Sequence, residues 1–272
     1  MIERKIISTS ETLPVIGLGT WQTFDVSPSS DIEPLRKVIS AMNNAGAKLI
    51  DSSPMYGRSE EIVGLVTKDI AESDFFFATK IWTRGKEEGI KQMENSFRMF
   101  QRNVIDLVQV HNIVDWKIHL QTLRKWQEEG RVRYIGITHY TDSMHDELVQ
   151  IIKSEKIDFV QFNYSIAHRN AEKYLLPVAS EYGVSTIINR PFGEGNLFNQ
   201  VATKQLPAWA ADYGIKNWSQ FFLKFIVSHP AVTCVIPATA NPSHAVDNFE
   251  AGSEPLPDET TRKKMIEWFK SL

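Results

Sequence analysis

Four polar side chains of different chemistry follow apolar runs in this chain of 272 residues. Asp51 ends one run and Tyr56 lies five residues beyond it, while Lys80 and His111 each follow a later run. An ammonium group beside a phenol favours the phenolate and lowers its pKa from the ordinary value of ~10. A carboxylate would keep the lysine charged, and a neutral imidazole can donate a hydrogen bond. Together the four groups suit proton donation to an oxygen that gains negative charge.

Proton donation of this kind suits the reduction of a carbonyl group, provided that another group delivers hydride. Side chains cannot deliver hydride, so the chemistry requires a nicotinamide or flavin cofactor. Taken singly, each of the four residues also fits a structural role, such as a helix cap, a packed core residue or a surface charge. The catalytic interpretation therefore depends on a fold that brings the four side chains together.

Eight short apolar runs recur along the chain and are typical of buried β-strands. They are Val15–Gly19, Lys48–Ile50, Phe75–Thr79, Ile105–Val110, Val132–Ile137, Phe159–Phe162, Val184–Ile188 and Val232–Ile236. Amphipathic segments lie between them. We predict helices over Asp31–Asn44 with Asp31 as the N-cap, Ile118–Glu129, Asp142–Ser154 and Glu259–Lys270, and a short helix after Asn241.

Buried strands that alternate with helices predict a parallel sheet covered on both faces. Eight such units fit a closed (β/α)₈ TIM barrel, in which chemistry gathers at the carboxyl ends of the strands. Two short runs, Lys5–Ile7 and Thr12–Pro14, are expected to form an N-terminal β-hairpin that closes the bottom of the barrel. A doubly wound sheet is the alternative, but no G-x-G-x-x-G follows any predicted strand. Residues 1–272 contain no linker or shift in composition, which predicts a single domain.

The composition is that of an ordinary globular protein, with 42% hydrophobic and 23% charged residues. The formal net charge of −3 and the lack of a Lys/Arg cluster argue against nucleic acid and anionic membrane surfaces as partners. No apolar stretch is long enough to span a bilayer. The N-terminus lacks the apolar core of a signal peptide, and a leader peptide that was removed stays an open alternative. The single cysteine, Cys234, is expected to be buried, and the chain suits a reducing cytoplasm.

Short motifs, in their order and spacing, resemble the aldo-keto reductase superfamily over nearly the whole chain. They are Gly17–Trp21, Asp51–Gly57 with Ser59 and Glu60, Thr79–Trp82, Val110–His111, Gly130–Gly136, and Val235–Thr239 with Asp247 and Asn248. Each motif is weak alone, but the combination is highly specific. The resemblance implies a (β/α)₈ barrel that binds NADP(H) in extended form without a Rossmann domain.

The resemblance also implies roles for individual residues. Tyr56 would be the general acid, and Lys80 and Asp51 the pair that tunes it. His111 would orient the carbonyl, and no metal is implied. The substrate pocket would contain Trp21, Trp82 and Asn112. The implied cofactor contacts are Gly19, Thr20, Thr138, His139, Gln161, Asn189, Arg190, Phe192, Gly193, Pro237, Ala238, Thr239, His244, Asp247 and Asn248.

Around the nicotinamide, this chain departs from the pattern of many family members. Thr138 and His139 stand where a Ser-Asn pair would contact the carboxamide, and His139 is bulkier and titratable. Asn189 replaces a tyrosine that stacks on the nicotinamide. Arg190 is expected either to reach the pyrophosphate or to form a salt bridge at the barrel rim.

At the cofactor's 2′-phosphate, Ala238 and His244 stand where many members have a lysine and an arginine. A site without a fixed positive charge should discriminate less strongly between NADP(H) and NAD(H). NADP(H) is the expected cofactor, and NAD(H) stays possible. The N-terminus of the helix expected after Asn241 would favour a phosphate.

We therefore expect a monomeric oxidoreductase that reduces small aldehydes or ketones to alcohols. Short loops after the fourth and seventh strands favour an open pocket. One alternative is a cofactor-binding regulatory subunit resembling the potassium-channel β-subunits. A metal-dependent hydrolase or a lyase is the weakest alternative, because few further His, Asp or Glu residues stand at strand ends.

Overall fold

A computed structural model describes residues 1–69 and 75–272 of the chain. Within these residues, eight parallel strands form one sheet, in which each strand pairs with its neighbours in chain order. They are β3 (Leu18–Gly19), β4 (Leu49–Asp51), β5 (Phe76–Ile81), β6 (Ile105–His111), β7 (Val132–Thr138), β8 (Phe159–Asn163), β9 (Ser185–Asn189) and β10 (Cys234–Val235). Parallel bridges from Ile16 to Val235 and from Gly19 to Ala238 join the two edges. The (β/α)₈ barrel is confirmed, and the doubly wound alternative is wrong.

The helices follow the strands in alternation, as the sequence pattern predicts. They are α1 (Glu33–Asn44), α2 (Ser59–Thr67), α3 (Lys86–Phe100), α4 (Trp116–Glu128), α5 (His145–Ser154), α6 (Leu175–Glu181), α7 (Asn196–Val201), α8 (Trp218–Val227), α9 (Pro242–Glu250) and α10 (Glu259–Lys270). Their apolar faces and the outer face of the sheet form one large buried cluster. Within the described residues, no helix combines the length and the apolar character needed to cross a membrane.

Helix α10 has the predicted bounds, but three other predicted helices differ from the observed ones at their amino ends. Helix α1 begins at Glu33, and its N-cap is Ile32 rather than Asp31. The Asp31 carboxylate still accepts a hydrogen bond from the Glu33 N–H, with Oδ1 2.9 Å from the nitrogen. Pro34 fixes the start, because proline has no N–H and its φ suits the first helical turn. Helix α4 differs in the other direction, since it begins at Trp116, two residues before the predicted Ile118.

The predicted helix over Asp142–Ser154 divides into two parts. Asp142–Met144 forms a 3₁₀ turn, and α5 begins only at His145. The Asp142 carboxylate accepts a hydrogen bond from the Asn163 side chain at 2.5 Å, which ties this turn to the end of β8. This contact with the end of β8 therefore overrides the local helical pattern at Asp142.

A two-stranded antiparallel hairpin covers the bottom of the barrel. Strand β1 (Glu3–Lys5) pairs with β2 (Thr12–Pro14), so the predicted Lys5–Ile7 is two residues too late. The residues after Lys5 lead into the turn, where Ile6 is fully buried and Ile7 is exposed. Ile6 and Leu13 pack in one cluster with apolar residues from the inner face of the barrel. The hairpin thus closes this end, as predicted.

The barrel interior changes from apolar to polar along the strands. Successive side chains of a strand point to opposite faces, so residues two apart share a face. Phe76, Leu107 and Phe159 belong to the inner apolar cluster near the bottom. Toward the carboxyl ends of the strands, the inner face carries polar side chains instead. They are Asp51, Lys80, Gln109, His111, Thr138, Gln161 and Asn189. The alternation therefore places three of the four predicted catalytic side chains, Asp51, Lys80 and His111, on the inner face of the barrel.

Replacement of Gly64 tests the close contact between α2 and α3. A Cβ at Gly64 would lie 2.2 Å from the Met99 carbonyl oxygen, so the contact excludes a side chain. Helix propensity alone would make Gly64→Ala stabilising by about 1 kcal/mol. Overpacking typically costs about 1–3 kcal/mol, so we expect net destabilisation in urea unfolding. Ser40→Ala on the exposed face of α1 is the control and should be nearly neutral. A stabilised Gly64→Ala variant would contradict the contact.

Candidate active site

A cavity of about 580 Å³ opens at the carboxyl ends of the strands, where barrels of this kind place their chemistry. Many of the predicted site residues form its wall. They are Gly19, Thr20, Trp21, Asp51, Tyr56, Trp82, His111, Asn112, Thr138, Gln161, Asn189, Arg190, Phe192 and Ala238. Lys80 lies behind the wall, where its side chain is 0% exposed, so it is not a surface charge.

Lys80 and Asp51 form a buried ion pair beneath the cavity. The Lys80 ammonium donates to Asp51 Oδ2 at 2.5 Å and to the Ser52 carbonyl oxygen at 2.8 Å. Burial alone would lower the pKa of Lys80, but the charge of the Asp51 carboxylate raises it above its ordinary value. The lysine is therefore charged in the folded protein.

Amide groups from two further strands hold the other oxygen of the Asp51 carboxylate. Asp51 Oδ1 accepts hydrogen bonds from Gln161 Nε2 at 2.9 Å and from Gln109 Nε2 at 3.3 Å. Sequence reasoning missed Gln109. The available signal was its position two residues before His111, on the same face of β6.

Tyr56 lies in the segment between β4 and α2, against both Lys80 and His111. The Lys80 Nζ is 5.0 Å from the centroid of the Tyr56 ring, and the His111 ring meets it edge-on with centroids 5.9 Å apart. Burial raises the pKa of the Tyr56 phenol, and the charge of Lys80 offsets only part of that rise. Lys80 thus lowers this pKa, as expected from the sequence, but burial outweighs its effect and the pKa lies above its ordinary value. The phenol is protonated at neutral pH and can donate its proton.

His111 is buried at the end of β6 and borders the cavity. Burial, the charge of Lys80 and the neighbouring His139 lower the pKa of His111 to about 2. The imidazole is therefore neutral and keeps a single N–H. Its Nδ1 lies 3.2 Å from the Ser53 hydroxyl oxygen.

A row of amide and hydroxyl groups continues from Asp51 across β7, β8 and β9. The Thr138 hydroxyl donates to Gln161 Oε1 at 3.2 Å, and Asn189 Nδ2 donates to the same oxygen at 3.4 Å. Asn189 Oδ1 is buried and has no hydrogen-bond partner among the described residues. This row can therefore accept a further N–H from a ligand. His139 does not border the cavity, and its Nδ1 accepts the Tyr140 backbone N–H at 3.0 Å.

Arg190 is held at the rim by neighbouring side chains. Its guanidinium forms a salt bridge with Glu194 and lies 4.6 Å from the centroid of the Tyr140 ring. Arg190 Nη1 also donates to the Tyr140 carbonyl oxygen at 3.2 Å. Of the two roles expected from the sequence, the structure has the salt bridge at the rim. The φ of Arg190 is +51°, a left-handed value that is uncommon for a residue other than glycine.

Other predicted cofactor residues lie outside the cavity wall. They are His139, Gly193, Pro237, Thr239, His244, Asp247 and Asn248. Helix α9 begins after Asn241, as predicted, and the Asn241 side chain caps it by accepting the Ser243 N–H. His244 is exposed in the first turn of this helix, whereas Asn248 is buried. Roles for these residues therefore remain predictions.

The wall also contains residues that sequence reasoning missed. They are Gln22, Thr23, Met55, Tyr140, Pro191, Glu194, Gly195, Phe198 and Ile236. Nearly all of them follow strands in loops, where no regular period marks which side chain faces inward. Across residues 1–69 and 75–272, no group of three or more His, Cys, Asp or Glu side chains could hold a metal ion.

Residues 15–264 match the sequence profile of the aldo/keto reductase family. The chain belongs to this family. The resemblance drawn from the short motifs is therefore confirmed.

Relatives of known name are distant in sequence. The aldo-keto reductase YhdN of Bacillus subtilis (strain 168) is 27% identical over 190 residues, which cover 64% of this chain and 56% of the relative. The methylglyoxal reductase YeaE of Escherichia coli (strain K12) is 24% identical over 258 residues, or 91% of this chain and 89% of the relative. An aldo-keto reductase from Klebsiella pneumoniae, solved in complex with NADPH, has a TM-score of 0.82 at 22% identity and covers 99% of this chain and 96% of its own. The last comparison supports the fold.

Removal of the Lys80 charge should destabilise the protein strongly. Lys80→Met leaves the buried Asp51 carboxylate without a counter-ion, and loss of one partner of a buried pair typically costs about 3–5 kcal/mol. The double variant Asp51→Asn/Lys80→Met removes both charges and should recover much of this loss. Urea unfolding of the wild type, the single variants and the double variant measures the coupling.

An exposed ion pair provides the control for the Asp51 and Lys80 variants. Lys91 and Glu88 form an ion pair on α3 with side chains that are 70% and 60% exposed, so Lys91→Met should change the stability little. Strictly additive losses in the Asp51→Asn/Lys80→Met variant would contradict a coupled buried pair.

Proposed function

We propose that this protein reduces aldehydes or ketones to alcohols with hydride from NADPH, and that Tyr56 is the proton donor. The observation that carries the proposal is the convergence of a phenol, a buried ammonium and a neutral imidazole on one cavity. Lys80 Nζ lies 5.0 Å from the centroid of the Tyr56 ring, and the His111 ring lies edge-on to the same phenol. Membership of the aldo/keto reductase family supports this chemistry.

The residues beside Asp51 fit the carboxamide of a nicotinamide. Asn189 Oδ1 is a buried acceptor without a partner among the described residues, and a carboxamide N–H would satisfy it. We propose that Thr138, Gln161 and Asn189 hold the carboxamide, and that the bound cofactor supplies the hydride. The NADPH in the Klebsiella pneumoniae relative supports the same class of cofactor. No fixed positive charge stands at Ala238 or His244, so NADH should also be accepted.

The proposed mechanism assigns a task to each polar side chain. The substrate oxygen accepts hydrogen bonds from the Tyr56 hydroxyl and from an N–H of His111. As the carbonyl carbon gains hydride, the electron pair of the C=O bond moves to the oxygen, and Tyr56 donates its proton to that oxygen. The charge of Lys80 stabilises the phenolate that is left. Asp51 holds the ammonium in place through the contact at 2.5 Å. Solvent then restores the proton of Tyr56 through the open cavity.

The mouth of the cavity favours small carbonyl compounds with an apolar or aromatic group. Trp21, Trp82, Met55 and Phe198 line the cavity, and each exposes more than a third of its surface. Apolar side chains of this size favour apolar ligand surface over charged groups. The methylglyoxal reductase activity named for YeaE supports a small aldehyde as one substrate class. A monomeric protein in a reducing cytoplasm remains our prediction.

Replacement of Tyr56 tests the identity of the proton donor. Tyr56→Phe keeps the ring but removes the hydroxyl, so NADPH oxidation with a small aromatic aldehyde should fall by about 10²–10⁴-fold. The absorbance of reduced nicotinamide measures the rate, and quenching of tryptophan fluorescence measures NADPH binding, which should persist. Full activity in Tyr56→Phe would exclude Tyr56 as the acid. NADPH binding by the wild type with no turnover on any carbonyl substrate would favour the regulatory-subunit alternative.

The pH dependence of the reduction tests the charge states of the two rings. The pKa of His111 is lowered to about 2, so the imidazole is neutral at every working pH. The pKa of Tyr56 is raised, so its active, protonated form is present at neutral pH and is lost only as the pH rises into the alkaline range. We expect kcat/KM, which reports the free enzyme, to show no step near pH ~6.5 and to fall only at alkaline pH. A step near neutrality in the wild type that is absent in His111→Gln would contradict a neutral imidazole.

A further inference from the structure

Ser53 lies where the Tyr56 and His111 rings of the proposed site meet. It is fully buried in the segment between β4 and α2. Its hydroxyl oxygen is 3.2 Å from His111 Nδ1. Its carbonyl oxygen accepts the backbone N–H of Tyr56 at 3.0 Å. Ser53 therefore touches both the proposed acid and the histidine.

The direction of the hydrogen bond between Ser53 and His111 follows from the available partners. A hydroxyl has one proton to donate and two lone pairs that can accept. One lone pair of Ser53 already accepts the Met55 backbone N–H at 3.3 Å. Among the described residues, His111 Nδ1 is the only acceptor that lies within hydrogen-bond distance of the hydroxyl. If Nδ1 were itself protonated, the Ser53 proton would be buried without an acceptor, which folded proteins rarely tolerate. Ser53 is therefore the donor.

The direction of this hydrogen bond determines which ring nitrogen of His111 carries the proton. A neutral imidazole has one N–H, and a ring that accepts at Nδ1 carries its proton on Nε2. His111 borders the cavity, and no hydrogen bond joins its Nε2 to any other part of the described chain. The Nε2–H is therefore free to donate to a ligand in the cavity.

We propose that Ser53 is a positioning residue whose hydroxyl fixes His111 in the tautomer that presents Nε2–H to the substrate oxygen. The importance of this tautomer rests on the proposed carbonyl reduction, in which His111 must donate a hydrogen bond. An alanine at position 53 would leave room for the ring but would no longer determine its tautomer. Threonine would keep the donor.

Nuclear magnetic resonance of the histidine rings tests the tautomer without substrate or cofactor. Long-range ¹H–¹⁵N spectra of ¹⁵N-labelled protein report which ring nitrogen carries the proton, and the His111→Gln spectrum assigns the His111 signals. In the wild type we expect a protonated Nε2 and a bare Nδ1 at neutral pH. Ser53→Ala should shift both nitrogens toward a tautomer mixture, and Ser53→Thr should keep the wild-type pattern. Ser52→Ala removes a neighbouring buried hydroxyl that does not contact His111, and should leave the signals unchanged.

Kinetics of the same variants test the consequence of the tautomer. Ser53→Ala should lower kcat roughly tenfold, the lower end of what loss of the hydrogen-bond partner of a metal-bound histidine costs. The KM for NADPH should not change, and Ser53→Thr should recover most of kcat. A protonated Nδ1 in the wild type would overturn the proposal even if Ser53→Ala failed to fold. Unchanged ring signals or an unchanged kcat in Ser53→Ala would also overturn it. A wild type with the expected tautomer but no carbonyl reduction would refute the proposed function instead.

Discussion

The buried ion pair between Lys80 and Asp51 is the interaction on which the rest of the site depends. Two charges removed from water are stable only when their remaining hydrogen bonds are satisfied. Here the partners come from separate strands, since Asp51 lies on β4, Lys80 on β5, Gln109 on β6 and Gln161 on β8. The pair is complete only when these four strands stand in their correct places. Assembly of the site therefore requires that β4, β5, β6 and β8 are all in place in the barrel.

The same ammonium acts on two neighbouring rings with different results. It opposes the rise in the Tyr56 pKa that burial causes, and so it favours the phenolate form. It also adds to the lowering of the His111 pKa by burial, and the imidazole therefore stays neutral. In the proposed function, one buried charge thus supports both the proton donor and the neutral hydrogen-bond donor at the cavity.

Periodic features of the sequence predict most of the fold and the centre of the site. Apolar runs indicate all eight strands, and the two-residue alternation explains why Asp51, Lys80 and His111 share the barrel interior. Local patterns fail where a distant contact decides the outcome. The 3₁₀ turn at Asp142 depends on Asn163, and the position of Arg190 depends on Glu194 and Tyr140. The upward shift of the Tyr56 pKa depends on burial, which no local pattern reports.

Single-turnover oxidation of NADPH by the wild type and by Lys80→Met, with a small aromatic aldehyde, tests the central claim most directly. Circular dichroism would first establish a temperature at which the variant is folded, and fluorescence would establish that it binds NADPH. If the buried ammonium supports proton donation by Tyr56, the wild type oxidises NADPH and Lys80→Met does so at least about 100-fold more slowly. A folded, NADPH-bound Lys80→Met variant whose rate stays within a few-fold of the wild type would contradict this account.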